Sequence, residues 1–293
     1  MVARSEHTTR TDPRDGRPFA AWRDQARAFA ERYARELFRN KAVLFWSLAF
    51  PVGFYLLTIT VFYKGADIPA DVWPAVKAGT AVTYGMFGAV IASLNSFGQQ
   101  LAMDLEADRY LQYRALPLSP SADLAGRMVA GLALSVVALL AVVGVAMGTG
   151  ASFTLAEPVS VPVVLLAMTA FAVFWMVVAV LVATVVRDPR YASIITVSVA
   201  IGSYFMTGFN GGDPSMFNGP AWLLNWLPNS LPTRLVADHL VASPAGSAGA
   251  TADGLAIPGT VFGLSVMAVY AAVALAVGLA VTRRVVYKRG VLP

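Results

Sequence analysis

Asp104, Glu106, Arg109, Tyr110 and Arg114 crowd into one short block, Asp-Leu-Glu-Ala-Asp-Arg-Tyr-Leu-Gln-Tyr-Arg-Ala-Leu, which stops at Pro117. The acids come first and the bases last, the order that a helix dipole favours. Mixed with Tyr110, Leu111, Tyr113 and Leu116, these charges offer a surface for docking another macromolecule. A solvated connector, the alternative, has no use for the rings. Catalytic chemistry has little to work with. The histidines are His7 and His239 and cysteine is absent, which excludes a His-rich metal cluster, a thiolate site and a disulfide framework. Asp238 beside His239 tempts a catalytic reading, yet a solvated loop histidine is the simpler one. No Gly-x-x-x-x-Gly-Lys-Ser/Thr loop is present to cradle nucleotide phosphates. No catalytic and no metal residues are assigned.

The remainder of the chain must position that block. Ala42–Phe62, Ala78–Phe97, Met128–Gly148, Val161–Val186, Ala192–Thr207 and Ile257–Val281 carry no Lys, Arg, Asp or Glu. Crossing the hydrocarbon takes roughly 20 apolar residues, and all but Ala192–Thr207 reach that length. Hydrophobic residues make up 57% of the chain and charged residues 13%, against about a quarter charged in soluble domains. The reading is an all-α polytopic membrane protein with six transmembrane helices, numbered here as spans 1 to 6, and no segment left over for a water-soluble domain.

Lys and Arg set the orientation. Of the 22, all but Lys64, Lys77 and Arg234 fall in segments 1–41, 98–127, 187–191 and 282–293. The positive-inside rule places these segments, and both termini, in the cytosol. The net charge of +5 then reflects topology, and nucleic acid is not expected as a partner because the bases are divided among four segments. Residues 1–18 are polar, broken by Pro13, Gly16 and Pro18, and read as a disordered leader. Lacking a small-residue cleavage pattern, the first apolar run is expected to be retained as a span.

Within 19–41, Phe19, Trp22, Ala26, Phe29, Tyr33 and Leu37 recur at three- and four-residue steps, opposite Arg23, Arg27, Glu31 and Arg35. This pattern predicts an amphipathic helix lying in the headgroup region, or one packed on a soluble partner. Pro51 predicts a kink in span 1. Ser93, Asn95, Ser96, Gln99 and Gln100 end span 2 and read as inter-helix hydrogen-bonding groups. Ser119-Pro120 looks like a helix start. Gly144 and Gly148 in span 3, and Ala268, Ala272, Ala276 and Ala280 in span 6, are candidates for close helix packing. Arg187-Asp188-Pro189-Arg190 is a tight turn. The stretch 215–240 mixes Trp222, Leu224, Trp226, Leu227 and Leu231 with Pro220, Pro228 and Pro232. It is too broken for a span and suits an outer re-entrant hairpin. Ser243–Gly254 reads as a flexible outer loop, and Arg283, Arg284, Lys288 and Arg289 as a basic stop.

Three stretches together resemble the membrane subunit of ABC-2 type exporters, the permease family that includes daunorubicin-resistance and polysaccharide-export permeases. They are Arg39–Pro51, Leu105–Pro120 and Pro220–Pro232. The middle one keeps the basic residue and Pro-Leu-Ser turn of the family pattern (Arg114, Pro117-Leu118-Ser119), with Arg109-Tyr110 where the family has a Gly-Thr pair.

The resemblance implies a single transmembrane domain over 42–293. It implies a cytosolic coupling helix at 104–116 whose Asp104, Glu106, Arg109, Tyr110 and Arg114 engage an ATPase. It implies a substrate pathway lined by spans 2 and 5, through Tyr84, Phe87, Asn95, Ser203, Tyr204 and Phe205, and an outer lid at 215–240. It further implies two copies of a separate ATPase subunit carrying ATP and Mg, no cofactor on this chain, a second permease subunit (identical or related), and a multi-pass place in a prokaryotic cell membrane among its lipids. An aromatic lining suits an amphipathic, drug-like or lipid-like cargo driven outward by alternating access. A secondary transporter or channel is the runner-up, disfavoured because the six spans hold no ionisable group for ion coupling. An intramembrane enzyme fails on the absence of a histidine inside the spans. A structural assembly subunit is the remaining alternative.

Overall fold

The computed structural model describes residues 18–186, 188–241 and 257–286. The expected leader (apart from Pro18), the Ser243–Gly254 loop, Arg187, Lys288 and Arg289 lie outside the described residues. The elements are α1 (Pro18–Arg39), α2 (Lys41–Phe62), α3 (Trp73–Glu106), α4 (Arg109–Arg114), α5 (Pro120–Gly148), α6 (Ser160–Val185), α7 (Pro189–Met206), α8 (Ser230–Leu240) and α9 (Thr260–Val281). Among the described residues, α2, α3, α5, α6 and α9 are long and apolar enough to cross a membrane, and α7 contributes the shorter apolar stretch Ile194–Met206. The protein is a polytopic all-α membrane protein.

α3 is its axis. Every residue from Ala78 to Gly98 is buried, wrapped by α2, α5, α6, α7 and α8. Small residues make this enclosure possible. A Cβ at Gly85 would lie 2.5 Å from the Leu139 side chain of α5, and one at Gly88 would lie 2.7 Å from the Ser47 carbonyl of α2. Pro51 disturbs α2 as its chemistry requires: with no N–H to continue the ladder, the preceding turn Phe45–Ala49 widens to π-helical geometry.

Two expectations change and two gain detail. The helix expected at 104–116 is split, because α3 runs on to Glu106 and α4 starts only at Arg109. Asp104 is ion-paired inside the protein, so the helix continues past the apolar run. The break comes where Asp108 takes a left-handed conformation (φ 50°), which Asp adopts more readily than most residues.

Second, α1 packs one face on its own chain. Its Phe29, Tyr33 and Leu37 are buried, against the first turns of α5. A Cβ at Gly126 would stand 2.5 Å from Phe29 Cβ and 2.8 Å from the Ala26 carbonyl, so the two backbones nearly touch.

Third, Gly144 and Gly148 have nothing within 4 Å of where a Cβ would be. In α9, too, the packed face is Gly263, Met267, Ala274 and Gly278, while Ala268, Ala272, Ala276 and Ala280 are exposed. Contact with α6 selects that face: a Cβ at Gly278 would meet Val177 at 3.0 Å. Fourth, 215–240 forms short turns at Pro214–Met216 and Ala221–Asn225 followed by α8. Leu231, Leu235 and Val236 of α8 are fully buried, because the helix is covered by α6, α3 and α9.

Candidate functional site

At the end of the bundle away from α1, a cavity of about 460 Å³ opens between four segments. From α2 and the residue after it come Phe54, Thr58, Phe62 and Tyr63; the first three are four residues apart and so share a face. From α3 come Gly79, Thr80, Thr83 and Tyr84. Tyr204 and Phe205 end α7, and Phe209, Gly212 and Asp213 follow it. Seven aromatic rings therefore surround the space. The Tyr84 hydroxyl is hydrogen-bonded to Thr58 Oγ1 at 2.7 Å. The Tyr204 ring stacks on Phe87 with centroids 4.3 Å apart. Its buried hydroxyl lies toward Thr83 and Tyr84.

The wall behind α7 is a left-handed reversal. Gly208, Phe209, Asn210 and Gly211 all have positive φ, from 55° to 76°. Glycine is required at two of the four positions: a Cβ on Gly208 would lie 2.1 Å from the Asp213 carbonyl oxygen, and one on Gly211 would lie 1.9 Å from Ser230 Oγ. The cost of a left-handed Phe and Asn, on the order of 1–2 kcal/mol each, is offset by a buried clamp. Asn229 Nδ2 lies 3.0 Å from the Ser203 carbonyl, 2.7 Å from Thr207 Oγ1 and 3.1 Å from Asn210 Oδ1. The reversal is thereby pinned to the start of α8, whose far end is held through His239. That ring meets Ser160 Oγ of α6 and Thr260 Oγ1 of α9, each at 3.0 Å, a structural role for the histidine.

At the opposite end of α3 stands a buried charge cluster. Arg127 of α5 is ion-paired with Asp104 of α3 and, at 3.4 Å, with Asp123 one turn before it. All three are at most 2% exposed. Asp123 also accepts hydrogen bonds from the Tyr33 hydroxyl at 2.6 Å and the Tyr110 hydroxyl at 3.1 Å. Burial pushes both phenols well above the ordinary tyrosine range, so they remain protonated donors. The Tyr33 ring lies under the Arg127 guanidinium, 4.0 Å away. Arg109 donates to Asp104 at 2.5 Å, and Arg32 reaches it at 3.5 Å. Four helices (α1, α3, α4, α5) thus share one ionic knot. Trp22 Nε1 donating to Ser121 Oγ at 3.0 Å, and Gln25 bracing the Pro117–Ser119 turn at 2.9 and 3.1 Å, extend it along α1.

The residues expected at a docking surface divide accordingly. Asp104 and Tyr110 are interior members of the knot, Arg109 is at its rim, and Glu106 is exposed. Leu111, Gln112 and Leu116 join Glu106 on the outer surface. The side chain of Arg114 lies outside what is described. Of the expected pathway residues, Tyr84, Tyr204 and Phe205 line the cavity and Phe87 lies beneath Tyr204. Asn95 is buried about 16 Å along α3 from Tyr84, at 1.5 Å per residue, and Ser203 turns its hydroxyl to the Ala200 carbonyl. Asp123, Arg127 and Tyr33 were missed by the sequence reading, although an Asp–Arg pair four apart just before an uncharged run was a usable signal. Phe54, Thr58 and Phe62 were missed too, although their spacing marks one helical face.

The chain matches the family described as ABC-2 type transporter over residues 24–242, a span that contains both the cavity and the charge cluster. A search of curated proteins returned no match.

Proposed function

The chain belongs to the ABC-2 type transporter family, and from that premise we propose that it is the permease subunit of an ATP-driven exporter. The family makes it a membrane translocation component that pairs with an ABC ATPase. In our reading, two copies of that ATPase bind ATP and Mg and dock below α4, and a second permease, identical or related, completes the translocator. Both termini are cytosolic, which puts the charge cluster inside and the cavity in the outer half of the membrane. The cargo is amphipathic, drug-like or lipid-like, and it enters the aromatic cavity as the helices alternate between two arrangements.

One observation carries this reading: a single buried helix, α3, ends in a ligand-sized aromatic cavity at one end and in a charge cluster beside an exposed helix at the other. A push on α4 reaches α3 through the Arg109–Asp104 pair at the rim of the cluster. The exposed face (Glu106, Leu111, Gln112, Leu116) is the docking surface, and Asp104 and Tyr110 act behind it by holding α4 in place. The test is co-purification of the ATPase with Glu106→Lys and Leu111→Asp variants from the native membrane. We expect loss of the ATPase from a permease that is still folded by size-exclusion and thermal melting. Retained ATPase with retained cargo efflux in both variants would remove α4 as the docking element. A cysteine introduced at position 107 that reacts only with an impermeant reagent added outside the cell would reverse the topology.

A further inference from the structure

We propose that the cavity selects lipophilic organic cations over anions and neutral molecules of the same shape. This inference rests on reading the cavity as the cargo site. Seven of its lining residues are aromatic, and aromatic faces carry negative quadrupole density that attracts cations. Among the described residues its lining contains no Lys or Arg, and the carboxylate there is Asp213. That carboxylate is held in place: Oδ1 accepts from Ser215 N at 3.2 Å and from Ser215 Oγ at 2.5 Å. No Lys or Arg forms a salt bridge with it among the described residues. Arg234 of α8 is electrostatically engaged with Asp238.

An anion placed here would face the wrong side of the rings and a carboxylate, with no compensating donor charge. A neutral cargo would gain nothing from the Asp213 carboxylate. A delocalised cation satisfies both features. The volume of about 460 Å³ falls in the range of small-molecule pockets, roughly 300–1,000 Å³.

Tetraphenylphosphonium and tetraphenylborate, which share size and shape and differ in sign, test this directly. Binding of each is measured on the full chain in lipid nanodiscs, with empty nanodiscs subtracted for partitioning. We expect the phosphonium to bind about tenfold or more tightly than the borate, and Asp213→Asn to weaken the phosphonium by roughly fivefold to tenfold, the weight of one such contact. Asn retains the turn to Ser215, so the variant reports charge. Equal binding of both ions, or a phosphonium affinity unmoved by Asp213→Asn, overturns cation selection. If both ions bind equally and Phe205→Ala, at a half-exposed ring, releases both, the cavity still holds cargo and only the sign preference falls. If neither Phe205→Ala nor Tyr204→Ala moves the binding of either ion, the cavity reading falls with it.

Discussion

The two ends of α3 are built from opposite materials. Around Tyr84 there are rings, threonines and one hydroxyl pair, and about 460 Å³ is left open. Around Asp104 there are two buried carboxylates, a buried arginine and two tyrosines; about 10 Å³ is open beside Tyr110, Asp123 and Arg127, and a more open, polar cleft of about 330 Å³ lies on the side of Glu36, Arg39, Asp104 and Arg109. Apolar contacts are individually weak and tolerate many occupants. Ionic contacts in a low-dielectric interior are directional, and each member becomes costly once its partner is removed. One end is therefore suited to receiving something, and the other to holding four helices in a fixed relation.

The largest expected effect tests that contrast at the ionic end. Arg127→Met removes the cation that bridges Asp104 and Asp123, and breaking a buried pair typically costs about 3–5 kcal/mol. Thermal unfolding in detergent should show a severely destabilised or unrecoverable protein. A loss under about 1 kcal/mol would mean the cluster is hydrated and does not hold the helices together. Next comes Gly126→Val at the α1–α5 crossing. The added side chain would collide with the Phe29 Cβ and the backbone of Ala26 and Ala30, an overpacking cost of about 1–3 kcal/mol. Limited proteolysis should then cut α1 while the spans stay intact. Gly144→Val, facing open space, is the control and should leave α1 protected.

At the cavity end, Gly211→Ala should cost on the order of 1–2 kcal/mol for its left-handed backbone, plus the displacement of Ser230. Because the reversal at 208–211 forms the cavity wall, cargo binding should weaken even where the fold survives. Unchanged binding and melting would separate the reversal from the cavity.

Sequence patterning resolved the spans because twenty-residue apolar runs have few alternatives. It misplaced their ends because an ion pair lets a helix carry charge inward. α3 reaches Glu106, and α5 starts at Pro120 with Asp123 and Arg127 inside it. An uncharged-run criterion discards such residues and with them the whole cluster. The amphipathic face of α1 was visible in its periodicity, but periodicity does not name the surface that covers it, and α5 was that surface. The alanine stripe of α9 failed similarly, since helix rotation is decided by the neighbour. Half of the expected pathway residues line the cavity because aromatic residues near the ends of spans 2 and 5 were weighed. Phe209 and Asp213 depend on a four-residue left-handed reversal, which no composition signal announces beyond its paired glycines.

The smallest expected effect on stability sharpens the comparison most. Phe205 is about half exposed (48%) and meets the rings of Tyr204 and Phe209 at centroid distances of 5.3 and 5.6 Å. Truncating it to Ala should change the unfolding free energy by no more than about 0.5 kcal/mol, as at surface positions generally. Yet it removes one face of the cavity, and a ring contact worth about 0.5–1.5 kcal/mol translates into a several-fold loss of affinity for a cargo that stacks there. Efflux measured over a panel of aromatic and aliphatic cargoes should fall for the aromatic members and hold for the aliphatic ones, while the melting curve overlays that of the parent. An equal response from both cargo types, or a melting shift as large as that of Gly126→Val, would show that the ring supports the fold instead of the cargo. The proposed division between a receiving end and a holding end would then fail at its most accessible residue.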